Sequence, residues 1–457
     1  MKRRIFKWFI ACMAVVTSSS VFAAPELRGA DNERLVTVHL QDVYDGKVSL
    51  IPFEGLKAIK PIAEVKGVKN GETAIMKVPE KYLPGEFVLR IDYRGKESDS
   101  PYPSERTIFI NKQDIELFVN PLYISNNEKT KFNTDETENT AYHAFMTENI
   151  EKRAQIDILR YFLLNYDSPK SKFYKGAVKE FEKRRIKYNA WLKKQTKKYQ
   201  DLYVSNLFQF QYIAPVVWGG KEEDRPKEIL KNYFEGIDLK DPLIIQSREL
   251  AKFMDGYMRL YSIQVDTKEL RDPLFIEAGR TACEKASKGH PKIYGWMVDY
   301  FYAGYETYGI TEGMNMLKKY IDDPNCLTTK RQEIIKRIEG AKKLTPGTIS
   351  PNFIIKDDQG NSFEFHKWRG TAPYKLLLFW SSDCESCKRL ANELNEWQKS
   401  PANKEKLDVV AVSLDETEAE VKEWNEQVKN FPGWRHLHAK EGVNSPVADS
   451  YAILSTP

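Results

Sequence analysis

The sequence predicts a multi-domain protein of mixed α and β structure: a small N-terminal β-sandwich, a middle all-α domain and a C-terminal α/β domain. Three observations predict it. At 457 residues the chain exceeds one ordinary core, and 41% apolar and 12% aromatic residues suffice to build several. The hydrophobic texture changes along the chain, from short alternating runs to helical periods and then to strands alternating with helices. The third is an apolar run, Tyr374 to Phe379, that leads through Trp380 into Cys384-Glu-Ser-Cys387.

Residues 1–23 read as a signal peptide. Lys2, Arg3, Arg4 and Lys7 precede a short apolar stretch, Trp8 to Val16, and Val21 and Ala23 occupy the small-residue positions of a cleavage site. The stretch is too short to span a bilayer, and no later segment is long and apolar enough to do so. Removing the peptide takes four positive charges and no acid from a net +5, leaving +1. The basic balance is therefore a targeting feature and gives no support to a nucleic-acid partner.

Residues 25–122 carry the β-like runs Val36–Leu40, Lys47–Ile51, Phe87–Ile91, Thr107–Ile110 and Ile115–Val119, with turns expected at Asp45-Gly46 and Asn70-Gly71. A polar stretch from Ser125 to Asn139 reads as a linker. Helical periodicity then covers residues 138–343, with helix starts expected at Asp241-Pro242 and Asp272-Pro273. The basic run from Lys183-Arg184-Arg185 to Lys197-Lys198 has Tyr188, Trp191, Tyr199 and Tyr203 interleaved, so it reads as the solvated face of a long amphipathic helix. After a second linker, Leu344 to Pro351, residues 346–457 alternate strand and helix. The two most apolar strands, Lys375–Phe379 and Leu407–Ser413, bracket a helix, which requires a buried parallel pair.

Cys12 leaves with the signal peptide, and Cys283, Cys326, Cys384 and Cys387 remain. In an exported, periplasmic or envelope protein disulfides persist, so a Cys-x-x-Cys is catalytic or structural. Zinc would need a second ligand pair, and the other candidates are scattered single residues, so no metal is assigned. Cys283 and Cys326 are either bridged or, the favoured reading, two buried thiols. His436-x-His438 could share one strand face, but without a third ligand the two read as solvent-facing histidines.

At a strand-to-helix turn the first sulfur meets the N–H groups and positive end of the helix, and the second lies one turn on. Reversible thiol–disulfide exchange needs that pair. Pro351-Asn-Phe353, Asp357-Asp-Gln-Gly360, the strand into Trp380, Cys384-x-x-Cys387, Val409 to Ser413, Trp434 and Tyr451-x-Ile453-x-x-x-Pro457 together resemble the thioredoxin superfamily, and most the exported ResA/TlpA-type thiol–disulfide oxidoreductases. The first and middle parts resemble, more weakly, β and helical domains of unknown function that accompany such modules.

The resemblance implies Cys384 as nucleophile and Cys387 as resolving thiol. It makes Pro457 the cis-proline facing the disulfide and gives Thr456 a backbone role toward substrate. Trp380 becomes the aromatic beside the motif, where plain core packing is the alternative. It implies a protein disulfide substrate and an upstream thiol reductant as partners, and no cofactor.

Several positions depart from the family. Asp383 stands where an aromatic is usual and Glu385 follows Cys384; these two carboxylates oppose the thiolate and predict a more reducing couple. Leu378 and Leu390 replace the buried acids and Asn392 the helix-kinking proline, leaving proton transfer to Glu393 or water. The chain stops at Pro457, where the family continues with a hairpin and helix, so the strand before Trp380 is expected to lack a neighbour. A longer protein or a partner chain would supply it.

The alternatives are a non-catalytic envelope binding or assembly protein with a vestigial module, and a peroxiredoxin-like peroxidase. The second is disfavoured by Leu377 and Ser381 where that motif needs proline and threonine.

Overall fold

The computed structural model describes residues 33–58, 60–219, 225–344, 346–356, 361–403, 405–454 and 456. It divides into two compact units, residues 1–53 with 58–144 and residues 54–57 with 145–457.

The first unit is β-rich. Its strands are β1 (Glu33–Leu40), β2 (Asp45–Glu54), β3 (Lys57–Ala58), β4 (Ala63–Lys69), β5 (Thr73–Pro79), β6 (Gly85–Arg94), β7 (Tyr102–Ile110), β8 (Ile115–Val119) and β9 (Lys131–Phe132). One sheet runs β5-β1-β8-β9; the other runs β3-β2-β6-β7, with β4 also on β2. Alternate side chains from both sheets, among them Val36, Val38 and Leu117 from one and Leu50, Leu89 and Ile108 from the other, share one core. The Asn70-Gly71 turn is present, with Gly71 in the left-handed region at φ 78°.

Two expectations fail here. Asp45-Gly46 is no turn but the start of β2, because the Asp45 carboxylate is pinned across the sheet by Arg94, with Nε to Oδ1 at 2.8 Å. The Ser125–Asn139 stretch is no linker: it contains β9, and a helix, α1 (Glu138–Asn165), begins within it. Thr130, Glu136, Glu138 and Asn139 within it are buried. Glu136 accepts from the Asn139 and Thr140 N–H groups at 2.8 and 2.9 Å, and the Asn139 amide closes a two-way pair with the Phe109 backbone.

The second unit continues with helices α2 (Lys172–Lys198), α3 (Arg225–Lys231), α4 (Glu249–Ser262), α5 (Lys268–Ala286), α6 (Pro291–Tyr308), α7 (Thr311–Ile321) and α8 (Arg331–Lys343). Asp241-Pro242 opens a 3-10 turn, its carboxylate accepting from Leu243 N–H. Asp272-Pro273 opens nothing: α5 starts a turn earlier, at Lys268, and carries Pro273 inside it. The basic face of α2 is mostly solvated, with Tyr188 on the buried side. Arg185 is the exception, buried between Glu182, 2.9 Å away, and the Ile213 carbonyl. Cys283 and Cys326 are buried, unbridged thiols; burial raises both, Cys326 to about 11.

Residues from Ile354 onward form β10 (Ile354–Lys356), β11 (Ser362–Glu364), β12 (Tyr374–Trp380), α9 (Glu385–Lys399), β13 (Leu407–Ser413), α10 (Glu418–Gln427), β14 (Arg435–His438) and α11 (Pro446–Ser450). The sheet order is β12-β13-β14, all parallel, and β10-β11 is a separate antiparallel hairpin. Val410 and Val412 of β13 enter one core while Val409 and Ala411 enter another. A strand buried on both faces explains why Leu407–Ser413 reads as an unbroken apolar run. Among the described residues β12 pairs with β13 alone.

Candidate active site

β12 delivers the chain through Trp380 to a three-residue turn, Ser381–Asp383, and Cys384 caps α9. Cys384 has φ −87° and ψ 102°, extended rather than helical, so its Sγ swings back over the first turn and accepts the Cys387 N–H at 3.1 Å. The two cysteines form a disulfide, with Cα atoms 5.2 Å apart. Cys384 is half-buried and Cys387 fully buried. The first cysteine of the pair is thus partly exposed and the second buried.

Around that pair the charges are unequal in setting. Asp383 is exposed and accepts from the Ser381 hydroxyl. Glu385 is exposed and lies 3.0 Å from Lys388, one turn along α9; hydrogen bonding to Glu385 raises the lysine above its ordinary value. A cation therefore accompanies the two carboxylates, a neighbour that sequence reasoning did not weigh.

Trp380 is fully buried and meets Phe431 edge-on, with ring centroids 6.2 Å apart. Leu378 is buried beside it, whereas Leu390, Asn392 and Glu393 are exposed on α9. Thr456 is half-buried, and Pro457 lies outside the described residues.

The sequence reading missed Asp415. It follows β13 by two residues and is 1% exposed. Its Oδ1 accepts from the Ser382 N–H at 2.8 Å and the Ser382 hydroxyl at 2.7 Å; its Oδ2 accepts from Ser413 Oγ at 2.5 Å. Ser382 is held again by the Glu420 carbonyl and by Gln427 Nε2. A buried carboxylate satisfied by three donors fixes the turn that presents Cys384. The only sequence signal was an acid directly after a fully apolar strand.

His436 and His438 are not solvent-facing. His436 is buried against the Phe431 carbonyl at 3.0 Å, and His438 Nε2 lies 2.8 Å from the Asp415 carbonyl. Both rings serve backbone carbonyls that the loops around β14 leave inside. Among the described residues no cluster of three or more His, Cys, Asp or Glu could hold a metal.

A parallel sheet, a following helix capped by the first cysteine of a Cys-x-x-Cys, and a buried second cysteine are thus in place. The family model Thioredoxin_8, described as Thioredoxin-like, matches residues 373–457. The C-terminal domain is thioredoxin-like. This thioredoxin-like domain is similar to the thiol-disulfide oxidoreductase ResA of Bacillus subtilis (strain 168), 26% identical over 98 residues, which cover 20% of this chain and 51% of that protein. The chain thus spans about half the length of that curated relative. Solved structures similar to it include a thioredoxin-like protein from Bacteroides caccae ATCC 43185 (17% identical, 50% of this chain and 83% of that one, TM-score 0.34). Another is a thiol-disulfide oxidoreductase from Bacteroides fragilis NCTC 9343 (26% identical, 24% and 77%, TM-score 0.20). No described helix is long and apolar enough to cross a membrane.

Proposed function

We propose that the protein is an exported thiol–disulfide oxidoreductase whose thioredoxin-like domain reduces disulfides in protein substrates. The observation that carries this reading is the asymmetry of the Cys384–Cys387 pair, an accessible sulfur at a helix N-cap backed by a buried one. In the reduced form the Cys384 thiolate attacks one sulfur of a substrate disulfide. That bond breaks, the first substrate thiolate leaves, and a mixed disulfide remains on Cys384. Cys387, deprotonated, then attacks Cys384 Sγ and releases the second substrate thiol. The protein is left oxidised and the substrate reduced by two electrons, and an upstream thiol reductant restores the dithiol. Asp415 and Ser382 hold the turn throughout. The similarity to ResA supports the reaction class, and the basic, apolar, small-residue N-terminus supports export.

The test is insulin-disulfide reduction by residues 24–457 beside Cys384→Ser. Turnover that vanishes in the variant supports the reading; a folded wild type as inactive as the variant refutes it and favours a binding role.

A further inference from the structure

The helical part of the second unit forms a half-open cavity of about 1070 Å³ that the redox chemistry does not use. Ligand pockets typically hold roughly 300–1,000 Å³, so the space accepts a whole small molecule. Its walls come from α1, residues 210–218, α3, α4 and Leu274 of α5, and are largely apolar and aromatic, with Phe210, Trp218, Tyr233 and Phe253 prominent.

The polar part of the lining has one sign. Arg153, Arg160, Arg225 and Lys227 face the cavity, and no carboxylate lines it among the described residues. Arg160 is paired with Asp157 at 3.3 Å, and Arg153 donates to the Gln211 carbonyl at 2.9 Å. Burial pushes Arg160 below its ordinary value; Asp157 opposes this, and the neighbouring Arg153 guanidinium reinforces it. At Arg225, Nε and Nη1 are buried with no hydrogen-bond partner among the described residues. Guanidinium nitrogens held away from water without a partner are unfavourable, and an anion at this wall would satisfy them.

We propose that this cavity binds a free amphipathic carboxylate, with its acyl or aromatic body against Phe210, Trp218 and Phe253 and its carboxylate on Arg225 and Arg153. Rings and aliphatic walls match the body, and the planar fork of Arg225 matches the head. The volume, close to that of small-molecule pockets, favours a small molecule over a protein segment. This site is independent of the Cys384–Cys387 chemistry.

The full chain would be titrated calorimetrically with decanoate, 1-decanol and an apolar tetrapeptide bearing a free C-terminus. Saturable binding of decanoate at a single site is expected, weaker by about tenfold for decanol and for decanoate with Arg225→Gln. Ala214→Trp, which fills the cavity, abolishes it while far-ultraviolet circular dichroism stays unchanged. Absence of saturable binding, equal binding of decanol, an unaffected Arg225→Gln variant or binding of the peptide alone overturns the proposal. So does decanoate binding that emerges only after Glu222, Glu223 and Asp224, which adjoin Arg225 in sequence, are replaced by amides, since the chain's own acids are then the occupant.

Discussion

Gly340 of α8 lies directly against Ala452, so close that a Cβ at residue 340 would overlap the Ala452 Cβ. Ala452 is buried and holds φ 52°, a left-handed conformation uncommon for a non-glycine residue. Two further contacts join the same elements: Arg337 Nη1 donates to the Ala452 carbonyl at 3.0 Å, and Lys336 lies 3.1 Å from Asp449. Helix α8 is thereby fastened to the segment that runs on to Thr456.

Replacing Gly340 by valine forces that contact apart. We expect a loss of about 1–3 kcal/mol of stability, as for other overpacked sites, read from urea unfolding. Insulin reduction at saturating substrate should fall with it if the segment after Ala452 meets the substrate. An unchanged unfolding midpoint would remove the contact from the account.

Asp415→Ala strips an acceptor from the Ser382 N–H and from the Ser382 and Ser413 hydroxyls at once. Buried donors left unpaired make this costly, about 2–4 kcal/mol by denaturant unfolding. Disulfide exchange should slow because the turn before Cys384 is no longer fixed. Asp415→Asn keeps the shape and loses the charge, so it should retain most of the stability.

The Asp383→Asn/Glu385→Gln double variant removes two negative charges near the Cys384 sulfur. The thiolate is then less disfavoured, and alkylation of the reduced protein at neutral pH should accelerate by about two- to fivefold at low salt. Because Lys388 pairs with Glu385, the Asp383 change alone should account for most of the gain. Equal rates in wild type and double variant would contradict it.

His143 offers a pH test in the first unit. Burial, with the Arg106 guanidinium beside it, lowers it from 6.5 to about 4. The unfolded chain therefore binds a proton that the folded chain refuses across that window. Stability is full above pH 6.5 and declines as pH falls toward about 4. Thermal melts of residues 24–457 across this range should show the decline, and His143→Gln should flatten part of it.

The sequence carried the Cys384-x-x-Cys387 spacing and the parallel pair clearly, because Val409–Val412 and Leu376–Phe379 are apolar without interruption and the two cysteines follow the second of these runs. The alternating runs of the β-rich unit were legible in the same way. Polar segments misled. Glu136 and Asn139 look like linker residues, yet both are buried as caps and backbone partners, and Asp45 looks like a turn residue but serves a cross-sheet ion pair. Asp415 was invisible because its importance lies in the Ser382 N–H and hydroxyl, which reach it from 33 positions away. His436 and His438 were misjudged for the same reason: their partners are carbonyls set by the fold.

The central claim, that Cys384 and Cys387 form a working redox couple, is tested most directly by equilibrating residues 24–457 in dithiothreitol buffers of graded poise and trapping free thiols by alkylation. The account predicts one cooperative dithiol–disulfide transition of the folded protein, lost in Cys387→Ser, with Cys283 and Cys326 unlabelled throughout. A pair that stays oxidised in excess reductant while the protein remains folded would contradict it.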